Sequence, residues 1–353
     1  MSPASVDLTA SFRSHQNYLG AFTYLAGFPH VPGKGIQVLK QISTKVMTAF
    51  PKAGGSRQYE SSVLAACLNR AWGTEAILAM STRLNGDDGF VRIANSWGCV
   101  QTYYVGYSAT QALVVANGHP RPASHPKTQE QAIALWTNRQ HGVAPFSFAA
   151  SKGSVIPRDP NAYAHGPGRP IDTGIHSWTG CTSSNCWDIA ALALRTTRED
   201  AVEAAMQEAR QRKIREKRKA WNTLEQARRD KGKPARQARV YKTAQLSQAE
   251  KEACETNIRP FGLLDYLYRL RIKGNYEAAE MFTEGPEDDT SSVYVAMSMV
   301  RIATSLMIAH ETRIAQLLGK EVVLTLARDW VRKNTPPEKV GIRLRLPILE
   351  EVL

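Results

Sequence analysis

Hydrophobic residues recur at three- and four-residue steps along much of the first 140 positions, a pattern typical of helices with one buried face. Glycines and prolines interrupt the pattern and mark the ends of the elements. The predicted helices cover residues 12–26, 35–50, 59–84, 89–117 and 128–139. The fourth is the clearest, because one of its faces carries Trp97, Val100, Tyr104, Tyr107, Gln111 and Val114. Residues 1–141 are therefore predicted to form the first part of a helical bundle.

The same periodicity returns after Pro260. It predicts helical segments over residues 261–271 and 276–282, followed by a long helix. The stripe of that helix consists of Val293, Ala296, Val300, Ala303, Met307, His310, Ile314 and Leu317. A stripe of this length is typical of a central bundle helix, so residues 258–335 are predicted to complete the bundle. In the tail, residues 336–353, apolar and basic residues alternate over 342–346, which is compatible with one strand or an edge extension.

Between the two parts of the bundle the pattern changes twice. Residues 142–186 contain Gly, Pro or Ser every few positions, which predicts a long irregular loop. Residues 187–257 are rich in Ala, Glu, Gln, Arg and Lys, with a break at 231–234, which predicts a basic helical hairpin that buries little surface of its own. The predicted fold class is mostly α: a helical bundle with a long irregular loop and an inserted basic helical hairpin.

Positive charge is concentrated in the predicted hairpin. The chain holds 45 Lys and Arg against 32 Asp and Glu, a net charge of +13. Residues 208–242, here called the basic block, hold fourteen basic and four acidic residues, a surplus of ten. The basic ones are Arg210, Arg212, Lys213, Arg215, Lys217, Arg218, Lys219, Arg228, Arg229, Lys231, Lys233, Arg236, Arg239 and Lys242. Such a surplus indicates a surface that binds a polyanion, most plausibly nucleic acid; a solvated helix without a partner is the alternative.

Trp221 and Tyr241 lie among these cations. Aromatic residues interleaved with Lys and Arg stack on unpaired bases in many nucleic-acid-binding proteins, and equally they supply packing contacts. Both interpretations stay open at the level of sequence.

Composition narrows the class of protein. With 43% hydrophobic and 22% charged residues, a chain of 353 residues is expected to fold. Its most apolar window, residues 293–309, carries Arg301, so a membrane span is not expected. The N-terminal residues lack a signal-peptide pattern, and five scattered cysteines favour a reducing compartment. We therefore expect a cytoplasmic protein without a membrane partner.

Two segments carry a family resemblance. Residues 97–128 join a helix with the aromatic pair Tyr103-Tyr104 to a turn at Ser124-His125, and residues 264–282 contain an Arg-x-x-x-Asn-Tyr element that ends at Tyr276. Together they resemble the HEPN family (higher eukaryote and prokaryote nucleotide-binding domains) over roughly residues 1–140 and 258–330. The resemblance implies a helical bundle that is often dimeric. It also implies either a metal-independent ribonuclease of prokaryotic defence or toxin–antitoxin systems, or a protein that only binds nucleotides or partners.

Ribonuclease members of that family carry an arginine followed by a histidine after four to six residues. The arginine stabilises phosphorane charge and the histidine handles the 2′-hydroxyl proton. Here the spacing occurs only at Arg158 with His165 and at Arg169 with His176, about as often as chance supplies it. Both pairs lie in the predicted loop and not at the start of a helix. A standard active site is therefore not expected.

A different constellation provides the candidate catalytic residues. A guanidinium, an amide and a phenol lie within two helical turns before residue 277, where the arginine suits phosphate oxygens. Two histidines are candidates for moving the proton. The set is Arg271, Asn275, Tyr276, His125 and His310.

Each candidate has a structural alternative. Arg269 and Arg271 could pair with Glu277 and Glu280 while Tyr276 packs in the core. A histidine on the apolar stripe of a bundle helix is usually a core residue with a hydrogen-bond partner, and a histidine near a helix start usually stabilises the turn.

The predicted loop also holds a set of candidate metal ligands. His165, His176, Cys181 and Cys186 supply the number and softness of ligands that tetrahedral zinc prefers. Their spacing matches no recognised zinc finger, so unliganded loop residues are the alternative. The protein is not expected to require a cofactor. A structural zinc ion is compatible with the sequence.

The sequence thus predicts a HEPN-like protein that binds nucleic acid, with RNA favoured over DNA. It also predicts that the protein belongs to a prokaryotic defence or toxin-type system. If it is an enzyme, it is expected to be a metal-independent endoribonuclease. The alternative from another class is a non-enzymatic subunit of a larger nucleoprotein or defence complex, whose basic hairpin binds nucleic acid or an acidic partner protein.

Overall fold

The computed structural model describes residues 7–28, 35–50, 58–82, 88–137, 146–151, 181–182, 184–234, 236–237 and 241–353. Within these ranges the chain is mostly helical, as the periodicity predicts. The helices are α1 (Leu8–Leu25), α2 (Gly35–Ala49), α3 (Ser61–Ser81), α4 (Asp88–Ala116), α5 (His125–Ala132), α6 (Cys186–Asp230), α7 (Gln248–Asn257), α8 (Leu263–Ile272), α9 (Glu280–Thr283), α10 (Asp289–Leu318), α11 (Lys320–Asn334) and α12 (Gly341–Val352). One-turn π-helices extend α5 over Ile133–Thr137 and α8 over Lys273–Glu277.

Capping residues explain where several helices begin. The Asp7 carboxylate accepts a hydrogen bond from the backbone of Ala10 at 2.9 Å, and Asp288 accepts one from Ser291 at 2.7 Å. Each satisfies a backbone donor that the first helical turn leaves without a partner. The helix beginning at Gln248 opens with a full capping box between Ser247 and Glu250.

Contacts divide the chain into two compact units. The first comprises residues 1–195 and 261–353, and the second comprises residues 196–260. The predicted insertion at 187–257 covers most of the second unit. Helix α6 begins in the first unit and continues into the second.

Helix α10 is the centre of the first unit. It packs against α1, α2, α3, α4, α11 and α12, and α4 in turn packs against α3, α5 and α8. Most of the stripe predicted for α10 is buried, namely Ala296, Ala303, Met307, His310, Ile314 and Leu317. By length and composition α10 could cross a membrane, but 72% of its most apolar window is buried inside the protein. It is therefore placed as the core helix that the spacing predicts.

The tail differs from the strand that its alternation allowed. Residues 341–352 form α12, and Ile342, Arg345 and Ile348 are buried along one helical face. In a strand Arg343 and Arg345 would share a face, whereas in the helix the Arg343 side chain is 39% exposed and that of Arg345 is fully buried.

Two buried carboxylates explain why an arginine occupies the core face of α12. Arg345 donates to both oxygens of Glu311, at 2.7 and 2.8 Å, and also to Glu75. Burial by itself would lower the pKa of Arg345, but the carboxylates of Glu311 and Glu75 raise it, so the guanidinium stays charged. Trp72 donates its indole N–H to Glu311 at 2.7 Å. This network joins α12 to α3 and α10.

The second unit also differs from a simple two-helix hairpin. Helix α6 ends at Asp230 and the chain turns at Gly232, where φ is +68°, at the predicted break. Residues 241–247 have no regular secondary structure, and of the residues described after the turn the next helical one is Gln248.

Candidate functional site

The cations of the basic block divide into two groups, and those of the first group make contacts within the second unit. Lys213 lies 2.7 Å from Glu250 and also donates to the carbonyl of Gln245 at 3.1 Å. Hydrogen bonds from Lys213 and Ser247 lower the pKa of Glu250 to about 2. Such contacts hold the segment after residue 240 along α6. The first group consists of Arg210, Lys213, Arg218, Arg228 and Arg236.

The second group is exposed, and within the described ranges its side chains form no ion pair. Its members are Arg212, Arg215, Lys217, Lys219, Arg229, Lys231, Lys233 and Lys242, here called the free cations. Arg212, Arg215 and Lys219 follow three- and four-residue steps and so share one face of α6. The buried residues Ile214 and Glu225 lie away from that face.

Helix stability does not explain this row of cations. Like charges four residues apart, such as Arg215 and Lys219, destabilise a helix by about 0.2–0.5 kcal/mol for each pair. The paired cations already hold the returning segment on α6. The free cations therefore suit a ligand with several negative charges.

Trp221 and Tyr241 are both half-buried. The carbonyl of Tyr241 accepts a hydrogen bond from Arg218 at 3.1 Å, so this residue contributes to the packing of the second unit. Arg239, which the sequence places in the same basic block, lies outside the described residues.

The first unit contains a second candidate site, a group of aromatic rings around a histidine and an arginine. Three tyrosines come from α4, the histidine is the first residue of α5, and a tyrosine and the arginine come from α8. We call it the Tyr-His-Arg cluster; its members are Tyr103, Tyr104, Tyr107, His125, Tyr268 and Arg271. It brings together two of the predicted catalytic residues, Arg271 and His125.

Arg271 is the charged member of this cluster. Its guanidinium carbon lies 5.3 Å from the ring centre of Tyr104, 5.6 Å from that of Tyr268 and 5.8 Å from that of Tyr103. These are cation–π distances. Its Nε atom is buried without a hydrogen-bond partner, and among the described residues no carboxylate pairs with it. The expected alternative, a pair with an acid, instead forms at the neighbouring Arg269, 2.6 Å from Glu277.

His125 is held by the turn that precedes α5. Ser124 caps the helix, and Gln111 of α4 donates to the carbonyl of Pro122 at 2.8 Å. The imidazole Nδ1 then lies 2.6 Å from the hydroxyl of Tyr103. Burial and, secondarily, the charge of Arg271 lower the pKa of His125, so the imidazole is neutral at neutral pH. A neutral imidazole beside an arginine can accept a proton next to a bound anion.

Asn275 and Tyr276 lie in the π-helical turn after Arg271. Asn275 is half-buried, and Tyr276 is 68% exposed, so it is not the core residue that the alternative interpretation expected. Gly274 holds this turn close to α4, because an added Cβ would lie 3.2 Å from the carbonyl oxygen of Ser96.

His310 has the surroundings of a structural residue. Its Nδ1 donates to the carbonyl of Leu306 at 2.7 Å, and its Nε2 accepts from the indole N–H of Trp136 at 3.1 Å. Burial lowers its pKa to about 4. It lines a cavity of about 40 Å³, too small for an ordinary ligand. Both ring nitrogens are occupied, and neither of these hydrogen bonds involves Arg271, so the structure gives no support to His310 as the base.

Two of the four candidate zinc ligands, His165 and His176, lie outside the described residues. Cys181 and Cys186 are buried, and burial raises the pKa of both thiols, to about 12 for Cys181. Within the described residues no group of three or more His, Cys, Asp or Glu side chains could hold a metal ion. The zinc site therefore stays a prediction.

The chain matches no protein-family model, no curated protein and no solved structure. The HEPN resemblance accordingly stays a prediction based on the motifs in the sequence.

The sequence does not predict that the tyrosines cluster around His125 and Arg271. In the sequence Tyr103 is part of a family motif, Tyr104 is part of that motif and of a helix face, and Tyr268 is not among the candidate site residues. A signal existed, because Tyr104 and Tyr107 lie on the predicted face of α4 and Tyr268 is three residues before Arg271. Periodicity alone does not reveal that α4 and α8 bring these residues together.

Proposed function

We propose that the protein binds nucleic acid through the free cations of the second unit. The observation that carries this proposal is the row of exposed cations on α6, which has no acid partners within the described residues. Lys and Arg that contact phosphates release counterions and so supply affinity without regard to sequence. The choice of RNA over DNA, the cytoplasmic setting and the placement in a prokaryotic defence or toxin-type system come from the sequence and its HEPN resemblance.

Neutralising one face of α6 tests this proposal. The triple variant Arg212→Gln, Arg215→Gln, Lys219→Gln removes three free cations and leaves the paired ones in place. We expect weaker binding of a labelled RNA, measured by fluorescence anisotropy, and the same reduction on DNA of the same sequence if only phosphates are contacted.

The matched control removes three exposed cations from the first unit, Lys45→Gln, Lys320→Gln and Lys333→Gln. Both variants change the net charge equally. Equal affinities for the two variants would contradict a binding surface on α6.

A second candidate function, metal-independent cleavage of RNA, is favoured by the proximity of His125 and Arg271. His125 takes the proton of a ribose 2′-hydroxyl, whose oxygen then bonds to the adjacent phosphorus while the bond to the 5′-oxygen breaks. The leaving oxygen takes a proton from solvent. Arg271 stabilises the charge on the phosphorane. For this step the Tyr103 hydroxyl must accept from Nδ1–H, which leaves Nε2 free as the base.

Cleavage assays in the presence of a chelator test the second candidate. His125→Ala and Arg271→Ala are each expected to reduce the rate by at least about 100-fold. Lys333→Gln, a change at an exposed position of α11, serves as the control. Unchanged cleavage in both site variants, or products without a 2′,3′-cyclic phosphate, would remove the cluster from the reaction.

A further inference from the structure

One face of α4 carries exposed side chains in its amino-terminal half and a member of the Tyr-His-Arg cluster further along. Ile93 is 58% exposed and Trp97 is 60% exposed, and with Tyr104 they follow four- and seven-residue steps. The carboxyl-terminal half of the same helix face is buried, because α5 and the turn before it pack there. In the described part of the chain, no element buries the Trp97 end.

The π-helical turn that carries Tyr276 packs against α4 close to Trp97 in the sequence. Gly274 is in close contact with α4, since an added Cβ would lie 3.2 Å from the carbonyl of Ser96 and 3.3 Å from the Cβ of Cys99. Tyr276 is two residues beyond Gly274, and Trp97 is the next residue after Ser96. The turn therefore places the backbone of Tyr276, whose ring is 68% exposed, near that part of α4 on which Trp97 is 60% exposed.

The chemistry of this surface combines aromatic faces with a half-buried cation that no carboxylate pairs with among the described residues. Exposed rings of Trp and Tyr can stack on any nucleic-acid base. An exposed patch of aliphatic side chains alone would not indicate which class of partner binds. Arg271 contacts the ring of Tyr104 at the end of this face, and among the residues that the structure describes its Nε has no hydrogen-bond partner. A guanidinium at the end of a row of aromatic rings suits a backbone phosphate next to unpaired bases.

We propose that Trp97 and Tyr276 form a stacking surface for the bases of single-stranded nucleic acid, and that Arg271 binds a phosphate of the same strand. The proposal deepens the proposed function, on which it rests for the class of ligand. Duplexes keep their bases stacked internally, so only an unpaired strand can use this surface. It thereby adds a preference for single strands that phosphate contacts on α6 cannot supply.

The test compares two labelled oligomers of equal length and charge, a single-stranded RNA and an abasic ribose-phosphate strand. Anisotropy titrations give an affinity for each, and the ratio of the two measures base stacking. For the wild-type protein the base-bearing strand is expected to bind at least about five- to tenfold more tightly than the abasic strand. Trp97→Leu and Tyr276→Ala are each expected to reduce that ratio and to leave the abasic affinity unchanged.

Conservative and distant variants separate stacking from other roles. Trp97→Phe keeps a ring and is expected to retain most of the ratio, while Trp97→Leu keeps only apolar character. Ile36→Ala changes a 53% exposed residue on α2 and is expected to have no effect. Arg271→Ala should weaken binding of both oligomers, because both carry phosphates. Circular dichroism confirms folding of each variant.

Failure of this inference differs from failure of the α6 interface. The triple variant on α6 should weaken binding of both oligomers and leave their ratio intact. A wild-type ratio near one would overturn the stacking surface, and so would a ratio that Trp97→Leu leaves unchanged. The second result has the same meaning if Trp97→Leu alters self-association of the protein. A reduced ratio in Trp97→Leu with no effect of the α6 variant would support the stacking surface and contradict the interface.

Discussion

His125 and His310 are both candidate bases in the sequence, and their surroundings in the structure differ. His310 uses both ring nitrogens in buried hydrogen bonds to Leu306 and Trp136. His125 uses one nitrogen toward Tyr103 and lies near Arg271. The sequence indicates that His310 is on an apolar stripe, but it cannot indicate Trp136 as a partner 174 residues away.

Two buried histidines set the response of stability to acid. Burial lowers the pKa of His310 to about 4 and that of His15 to about 3, from 6.5. As the pH falls below 6.5, the unfolded chain binds protons that the folded protein does not. The free energy of unfolding should therefore decrease between about pH 6.5 and about pH 4.

Urea denaturation at several pH values measures this slope. His310→Gln removes one titrating group, so the slope should become shallower by up to about 1.4 kcal/mol per pH unit. Wild-type stability that is flat across the range, or an unchanged slope in the variant, would show that His310 is not held neutral by burial.

At the scale of secondary structure elements, α12 shows where local pattern fails. The alternation over 342–346 suits a strand, but Arg345 finds Glu75 and Glu311 on two other helices. Partners 270 and 34 residues away make a helical face with a buried arginine favourable. A single sequence gives no sign of such a network, because each member alone resembles an ordinary surface charge.

The network predicts a large difference between neighbouring arginines of α12. Arg345→Met leaves two buried carboxylates without their cation and should lower the free energy of unfolding by about 3–5 kcal/mol. Arg343→Met, where the side chain is 39% exposed and its acid partner Glu338 is 80% exposed, should lower it by at most about 1 kcal/mol. Chemical denaturation of both variants checks this, and similar decreases would contradict the structural role of the network.

Helix α6 shows what local pattern does predict. Its charge, its end near residue 230 and the following turn all follow from composition and Gly232. The division of the basic block into its two groups of cations depends on Glu203, Glu225 and Glu250 and on the carbonyls of Pro234 and Tyr241. A sequence does not specify these contacts. The sequence therefore predicts that α6 meets a polyanion, and the structure adds which cations are available.

At the scale of the whole molecule, the surplus of positive charge lies in the second unit and the hydrophobic core around α10 lies in the first. The basic block accounts for ten of the thirteen net charges, and the helical first unit holds the core around α10. The positions of α1 to α5, α8 and α10 in that unit followed from hydrophobic periodicity, because each of these helices buries one face. The Tyr-His-Arg cluster did not, since it is assembled from α4, α5 and α8.

The dependence of RNA binding on salt tests the central claim most directly. For each phosphate of a single strand that the protein no longer neutralises, the slope of log affinity against log salt should become smaller by about 0.7. The triple variant of Arg212, Arg215 and Lys219 should therefore show a slope smaller than wild type by about 2, while the matched variant of Lys45, Lys320 and Lys333 keeps the wild-type slope. Identical slopes for wild type and the α6 variant would contradict a phosphate-binding surface on α6.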